Sequence, residues 1–264
     1  MSRTEYLSLP SPTDEELLIL NKLIGAGEQE YISGREIAQN LNLSRVSVNS
    51  RIKKLRQEGI GLEAVTKRGY RLQALPASLH PGVLQAHLRR KNIHVPGYGY
   101  ETIDSTNSEC ERLLTHGFET PFFVYAHQQM DGRGRMGRVW CSEDNQNLYL
   151  SFAFRPQLPP ARMNLFTIWI GLELCRLLDE TYQIPIYIKW PNDLVCNQRK
   201  LAGMLTEAKV DADHTRDLVF GLGLNANGNP VEWQSILRKQ ATTLAYEANQ
   251  TICLHQLTAD VIER

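Results

Sequence analysis

"PFFVYAHQQMDGRGRMGRVWCSEDNQNLYLSFAF", residues 121–154, decides how the larger part of this chain folds. Its first residues, "PFFVYAHQ", form an apolar run bounded by proline and polar residues, which reads as a strand. Its end, continued as "NLYLSFAFRP", alternates strictly, so that Leu148, Leu150, Phe152 and Phe154 share one face of a second strand. A loop of three arginines interleaved with glycines connects the two. The segments that follow repeat the pattern. "IPIYIKWPNDLVCNQRKLAGMLTEAKV" reads as strand, turn at Asn197-Gln198 and strand, and "DLVFGLGLNANG" as one more strand ending in glycines. A helix near residues 161–181 carries Trp169, Leu172, Leu174 and Leu177. Hairpins outnumber helical crossovers, and the expected class is α+β with a mixed, largely antiparallel sheet packed with helices.

The loop itself, "DGRGRMGRVW" (131–140), admits three chemistries. Gly132 and Gly137 have the G-x-x-x-x-G spacing of a phosphate-binding P-loop, but Arg138-Val139 follows where lysine and a hydroxyl are required. Val139 offers no oxygen to magnesium, so that reading fails. A disordered arginine–glycine tail needs a long low-complexity context, and this run lies between two strands. A structured anion-binding loop remains, alongside an exposed basic turn that holds nothing. Arginine presents a planar, permanently charged fork that grips carboxylate or phosphate, and the glycines let backbone amides approach the same ligand.

At 264 residues, the chain has room for two domains. Hydrophobic residues make up 42% and charged residues 22%, the proportions of a globular chain, and formal net charge is zero. Contact with nucleic acid therefore requires a local basic patch. The opening "MSRTEYLSLPSPTDEE" has no signal-peptide core, and no run approaches the ~20 apolar residues of a membrane helix. Five scattered cysteines, never in a CxxC pair, fit reduced thiols in a cytoplasm and argue against structural zinc.

Residues 1–75 read as three short helices followed by a hairpin. Thr13 to Glu16 fits a capping box before Leu17, Leu20, Leu23 and Ile24, and Gly25 is placed to end the run. Ser33 to Glu36 opens a second helix that buries Ile37 and Leu41. Ser44 starts a third, with Val48, Ile52 and Leu55 on one face and Gly59 to stop it. "LEAVTKRGYRLQA" then turns at Arg68-Gly69. This is the order of a winged helix–turn–helix. The outward positions Arg45, Ser47, Asn49, Ser50 and Arg51, with Arg35 and Ser44 at the helix starts, suit base edges and phosphates. Lys67, Arg68 and Arg71 give the hairpin phosphate contacts of its own. A solvated charged face, or a protein-docking surface, is the competing reading of the same residues. Pro76 and Pro81 mark a seam, so the expected domains are 1–75 and 83–264 with 76–82 as linker.

"KWPNDL" (189–194) places Lys189 at the end of an apolar strand. There it either neutralises a carboxylate and the charge that develops during attack on phosphorus, or merely snorkels from a strand end. Asp193 either helps to hold magnesium or caps the turn.

Taken in order, the winged helix, "DSTN", "QQMDGRGRMGRVW", "NLYLSF", "KWPNDL", "RKLAGML" and "GLGLNAN" resemble the family of bifunctional biotin–protein ligases and biotin operon repressors. The resemblance spans nearly the whole chain. It implies a class II synthetase-like biotin/lipoate ligase fold. It also implies a two-step reaction: biotin and ATP, with Mg2+ as counter-ion, give biotinyl-5′-AMP, and biotin then passes to a lysine of biotin carboxyl carrier protein. The adenylate-bound homodimer is expected to bind the biotin operator. By the same resemblance Ser105, Thr106, Asn107 and Gln129 belong to the biotin pocket. Arg133, Gly134 and Arg135 contact biotin and the adenylate phosphate, Trp140 packs near the adenylate, and Lys189 meets biotin's carboxyl end and the phosphate. Gly203, Gly221 and Gly223 line the biotin tail, and Asn225 lies near the nucleotide. Arg133, Arg135 and Lys189 are the expected catalytic cations. Asp131 departs from a usually small, neutral position and is placed to pair with Arg133 or Arg135, or to point outward. Met136 stands where arginine is common, which weakens loop ordering. The family's small C-terminal β-domain, SH3-like, is expected to be absent, since the sequence stops at "HQLTADVIER" (255–264).

Overall fold

The computed structural model describes residues 8–142, 146–163 and 165–264, without side chains for 236–238. Residues 1–7 of the expected first domain, with the first part of the opening stretch, lie outside the described residues.

Helix α1 (Asp14–Ala26) begins at a complete capping box between Thr13 and Glu16 and runs one residue past Gly25. Helix α2 (Gly34–Leu41) is capped by Ser33, and α3 (Arg45–Gln57) by Ser44. Their apolar stripes meet in one core, in which Leu20, Ile37, Val48, Ile52 and Leu55 are almost fully buried. Strands β1 (Gly61–Val65) and β2 (Gly69–Ala74) form the wing, antiparallel. Tyr70 of β2 exchanges backbone hydrogen bonds with Ile32, 2.8 and 2.9 Å. This close approach fixes the residue at the wing's turn. Gly69 has φ +114°, and a Cβ there would lie 2.1 Å from the Ile32 carbonyl oxygen.

Helix α4 (Pro81–Arg90) is shared between two cores. Val83 and Ala86 pack with the three-helix head, whereas Leu84 and Leu88 join the core of the sheet domain. A helix buried on two faces ties the head to the rest of the molecule.

The sheet domain then runs β3 (Gly97–Ile103), α5 (Thr106–Thr115), β4 (Phe122–Gln129), β5 (Leu148–Phe154), the short α6 (Pro160–Met163) and α7 (Phe166–Tyr182). It continues with β6 (Tyr187–Lys189), β7 (Asp193–Cys196), β8 (Arg199–Asp211) and β9 (His214–Leu224), and closes with α8 (Ser235–Gln240), α9 (Leu244–Ala248) and α10 (Leu254–Glu263). Seven strands lie in the order β3-β4-β5-β9-β8-β7-β6, with only β3 and β4 parallel. The α+β, largely antiparallel expectation is met. Asn197 and Gln198 form the β7–β8 turn, both with positive φ (47° and 62°).

Alternation in β5 does not mark one wet face. Leu148, Leu150 and Phe152 face the main core, while Ala153 packs under α5 and Ser151 is fully buried on that same side. The long helix is half committed. Leu174 and Leu177 are buried, but Trp169 and Leu172 are exposed.

Candidate active site

Residues 104–107 connect β3 to α5, and their polar groups form the floor of a cleft over the middle of the sheet. Asp104 starts the turn by accepting the Ser105 N–H (2.7 Å), and it binds both terminal nitrogens of Arg112 at 2.8 Å. Burial works to raise the Asp104 carboxyl, but Arg112 and the Ser105 amide outweigh it and hold the group below its ordinary range. Thr106 does not cap α5 as the T-x-x-E spacing suggests. Ser105 holds the N-cap position, without a side-chain bond. The Thr106 backbone and hydroxyl both donate to Gln129 Oε1, 2.8 and 3.1 Å. Gln129 in turn donates to Ser142 Oγ at 3.0 Å. Ser151 Oγ lies 2.7 Å from Thr106 Oγ1 and 2.6 Å from Asn107 Oδ1. The buried polar face of β5 therefore has a purpose: it fixes two side chains of the floor.

The glycine–arginine run forms a tight loop over this floor. The Trp140 amide donates to Gly132 O (2.7 Å), and Arg133 bridges Val139, so the two ends of the loop are pinned together. A Cβ on Gly132 would lie 2.4 Å from Trp140 O, which explains that glycine. Arg135–Gly137 make a single turn, and Met136, with φ 56°, sits exposed at its tip.

Trp140 turns inward against the strands. Built Cβ atoms would fall 2.7 Å from its ring at Gly203 and 2.5 Å at Gly223. Glycine on β8 and β9 is thus what lets the indole lie on the sheet. Lys200 Nζ is 5.1 Å from the Trp140 ring and 2.8 Å from Asp193. Asp193 is spent on that lysine; among the described residues no group of three or more His, Cys, Asp or Glu could hold a metal.

These elements enclose an inner cavity of about 150 Å³, which opens beneath the loop into a wider one. Of the expected biotin and adenylate contacts, Ser105, Thr106, Asn107, Gln129, Arg133, Gly134, Arg135, Trp140, Gly203, Gly221 and Gly223 line the inner cavity together, and Asp193 joins them. Two do not. Lys189 is exposed at the end of β6, outside both linings, and the lysine in the cavity wall is Lys200. Asn225 is a strut: its side chain donates to Thr242 O and its backbone bonds Leu201 and Leu244. Asp131 is exposed and uses its amide on Asp104 O (2.9 Å); Arg133 instead pairs with Glu111 (3.1 Å) and Glu207 (2.9 Å). Glu207, Lys200 and Ser151 escaped sequence reasoning. Lys200 lies within "RKLAGML" and Ser151 within "NLYLSF", both of which carry a signal, but nothing local marks Glu207.

Two buried donors in the cavity wall, Arg133 Nε and Trp140 Nε1, have no acceptor among the described residues. A buried donor left unpaired costs roughly 1–3 kcal/mol, so the wall suits a ligand rich in acceptors.

The second surface lies on the head. Arg35, Arg45, Lys67 and Arg68 surround a notch between the start of α2 and the wing, and all four are exposed. Ser47, Asn49 and Ser50 follow on the outer side of α3. Two expected contacts are otherwise engaged: Ser44 Oγ accepts the Ser47 amide (3.0 Å), and Arg51 reaches back to Glu15 of α1 (2.7 Å). Arg71 is likewise paired, with Glu63.

Residues 98–225 match the family model of the biotin/lipoate A/B protein ligases, and residues 16–71 match an HTH domain model. The chain is 31% identical over 233 residues to the bifunctional ligase/repressor BirA of Bacillus subtilis (strain 168), covering 88% of this chain and 72% of that protein. It is 31% identical over 245 residues to the bifunctional ligase/repressor BirA of Salmonella typhimurium, covering 93% and 74%. Among solved structures, a biotin protein ligase from Aquifex aeolicus in complex with biotin and ATP is similar, with TM-score 0.52 and 28% identity over 64% of this chain and 68% of that one.

Proposed function

Since the chain belongs to the biotin/lipoate A/B protein ligase family, with the helix–turn–helix head of its bifunctional ligase/repressors, we propose that it activates biotin with ATP and transfers it to a carrier-protein lysine. The observation that carries this reading is the cavity: hydrogen-bonding floor, glycine-lined wall, and an arginine loop above with two unpaired donors.

In the first step an oxygen of biotin's carboxylate attacks the α-phosphorus of ATP, supplied as its magnesium complex, and pyrophosphate leaves. In the second, the ε-amine of the carrier lysine attacks the acyl carbon of biotinyl-5′-AMP, AMP leaves with the bonding pair, and the amine loses a proton. No enzyme nucleophile is required. The protein's contribution is to hold the partners in line, neutralise charge and exclude water. Thr106, Asn107 and Gln129 supply hydroxyl and amide groups for the ureido ring. The permanent charges of Arg133 and Arg135 meet the phosphate, and Lys200 adds a third cation at the same wall. Trp140 covers the strand glycines and packs on the ligand. Lys189, exposed at the end of β6, is the remaining cationic candidate.

The head makes the same protein a repressor. Arg45, Ser47, Asn49 and Ser50 meet the operator's groove while Arg35, Lys67 and Arg68 meet its phosphates. Adenylate binding orders the loop and favours the homodimer that spans two half-sites. No helix is long and apolar enough to cross a membrane among the described residues.

Carrier biotinylation and operator binding are tested with purified chain, carrier protein and labelled operator. Biotin appearing on the carrier lysine only with ATP, and operator retardation that requires biotin plus ATP, are the expected results. Operator binding that ignores both ligands removes the adenylate from the repressor's control.

A further inference from the structure

We propose that Glu207 is a positioning residue for adenylation, acting through Arg133 and Asn107; the proposal rests on the reading of the cavity as the adenylation site. A single carboxylate oxygen, Glu207 Oε2, accepts from Asn107 Nδ2 at 2.7 Å and from Arg133 Nη2 at 2.9 Å. The first donor belongs to the floor and the second to the loop, so one atom spans both halves of the cavity. Asn107 is held at its other end too, since its Oδ1 is 2.6 Å from Ser151 Oγ. The amide lies against β9 so closely that a Cβ on Gly221 would fall 2.1 Å from Oδ1.

On the loop side, Glu111 Oε1 lies 3.1 Å from the same Arg133 Nη2. Two carboxylates therefore hold one edge of the guanidinium, while Nε is a buried donor without a partner among the described residues. A guanidinium is planar and rigid, so fixing one nitrogen fixes the direction of the others. Glu207 lies on β8 opposite Val219 of β9, in the regular part of the sheet, and a strand is a firmer support than the loop it steadies. The carboxylate lines the wider cavity beneath the loop, not the inner one, and it touches Asn107 and Arg133. It acts by aiming those two groups.

The test uses the full chain and biotin-dependent exchange of pyrophosphate into ATP. Glu207→Gln keeps the size and an acceptor but removes the charge. We expect kcat to fall about tenfold, while KM for biotin changes less than threefold. In an Arg133→Ala background the same substitution has a smaller effect than in the parent, because only its bond to Asn107 remains to act through. A merely structural glutamate would lower the melting temperature and multiply with Arg133→Ala. Exchange by Glu207→Gln within twofold of the parent, or multiplicative effects in the double variant, overturns the proposal. Should Glu207→Gln not fold, Glu207→Asp replaces it: it keeps the charge but draws the carboxylate back from Asn107 and Arg133. A lowered kcat with unchanged biotin KM is expected there, and parent-like kcat overturns the proposal. If the parent itself exchanges with no acid, the adenylation reading fails, and the positioning role falls with it.

Discussion

The indole of Trp140 lies on the strand backbone at Gly223, in space that any side chain at 223 would occupy: a built Cβ falls 2.5 Å from the ring. The loop's closing residue is thus matched to a bare patch of sheet. Gly223→Ala must displace the indole or the strand. Overpacking of this kind costs about 1–3 kcal/mol. The expected outcome is a lowered melting temperature and biotin-dependent turnover reduced more than tenfold, measured by calorimetry and pyrophosphate exchange. Turnover that survives Gly223→Ala would show that Trp140 does not need this seat.

Gly69 separates the head's role from the cavity's. With φ +114° and a built Cβ 2.1 Å from Ile32 O, alanine there has neither a permitted backbone nor room. Gly69→Ala should disrupt the wing and abolish operator retardation, with pyrophosphate exchange close to the parent's. Loss of both activities would mean that the wing's packing supports the sheet domain as well.

Within the head, paired and unpaired arginines should behave differently. Arg45 lines the notch at the wing, whereas Arg51 is bound to Glu15. Arg45→Ala should weaken operator binding and reduce the slope of log affinity against log salt by about one. Arg51→Ala should leave that slope unchanged and cost at most about 1 kcal/mol of stability, as exposed ion pairs do. A titration of operator binding against salt checks both.

The seam between head and sheet domain should be acid-sensitive. His255 of α10 is 1% exposed, accepts the His80 amide on Nε2 at 2.8 Å, and stacks with His87 of α4 at 6.4 Å. Burial, with His87, His80 and His127 nearby, pushes its pKa down from 6.5 to about 3. Burial lowers His80 as well, against the opposing pull of Glu58 and Glu16, and it lowers His87 against Gln256 and Asp260. Between the two pKa values the unfolded chain binds the proton and the folded one does not, so stability rises with pH there. It is complete above about pH 6.5 and declines as pH falls toward 3. His255 alone contributes a loss of about 1.4 kcal/mol per pH unit below 6.5. Thermal melts at pH 7.5, 6.5 and 5.5 should therefore fall progressively below about pH 6.5, and less steeply in His255→Gln. A flat profile would place the acid sensitivity elsewhere.

Strands, turns and the head's three helices were legible because each is written locally. Capping at Thr13, the alternation of β5 and the turn at Asn197-Gln198 need only near neighbours. The cavity's lining was legible through motifs, and for eleven positions the topology brings those motifs to one place. What sequence missed depends on partners far along the chain. Glu207 meets Asn107 and Arg133 from 100 and 74 residues away. Thr106 has the spacing of a cap but a stronger use for its hydroxyl at Gln129. The Asp131–Arg133 pairing failed for a similar reason: adjacency in sequence lost to Glu111 and Glu207, which the fold brings nearer to the guanidinium. Lys189 and Lys200 illustrate it again, since only the β7–β8 hairpin decides which lysine reaches the cavity wall.

The proposed function requires that this cavity join biotin to AMP. Pyrophosphate exchange into ATP, with biotin, lipoate and octanoate offered separately, tests it most directly. Exchange with biotin alone, lost in Arg135→Ala, is the expected result. Exchange driven by lipoate or octanoate, or no exchange with any acid, would contradict it.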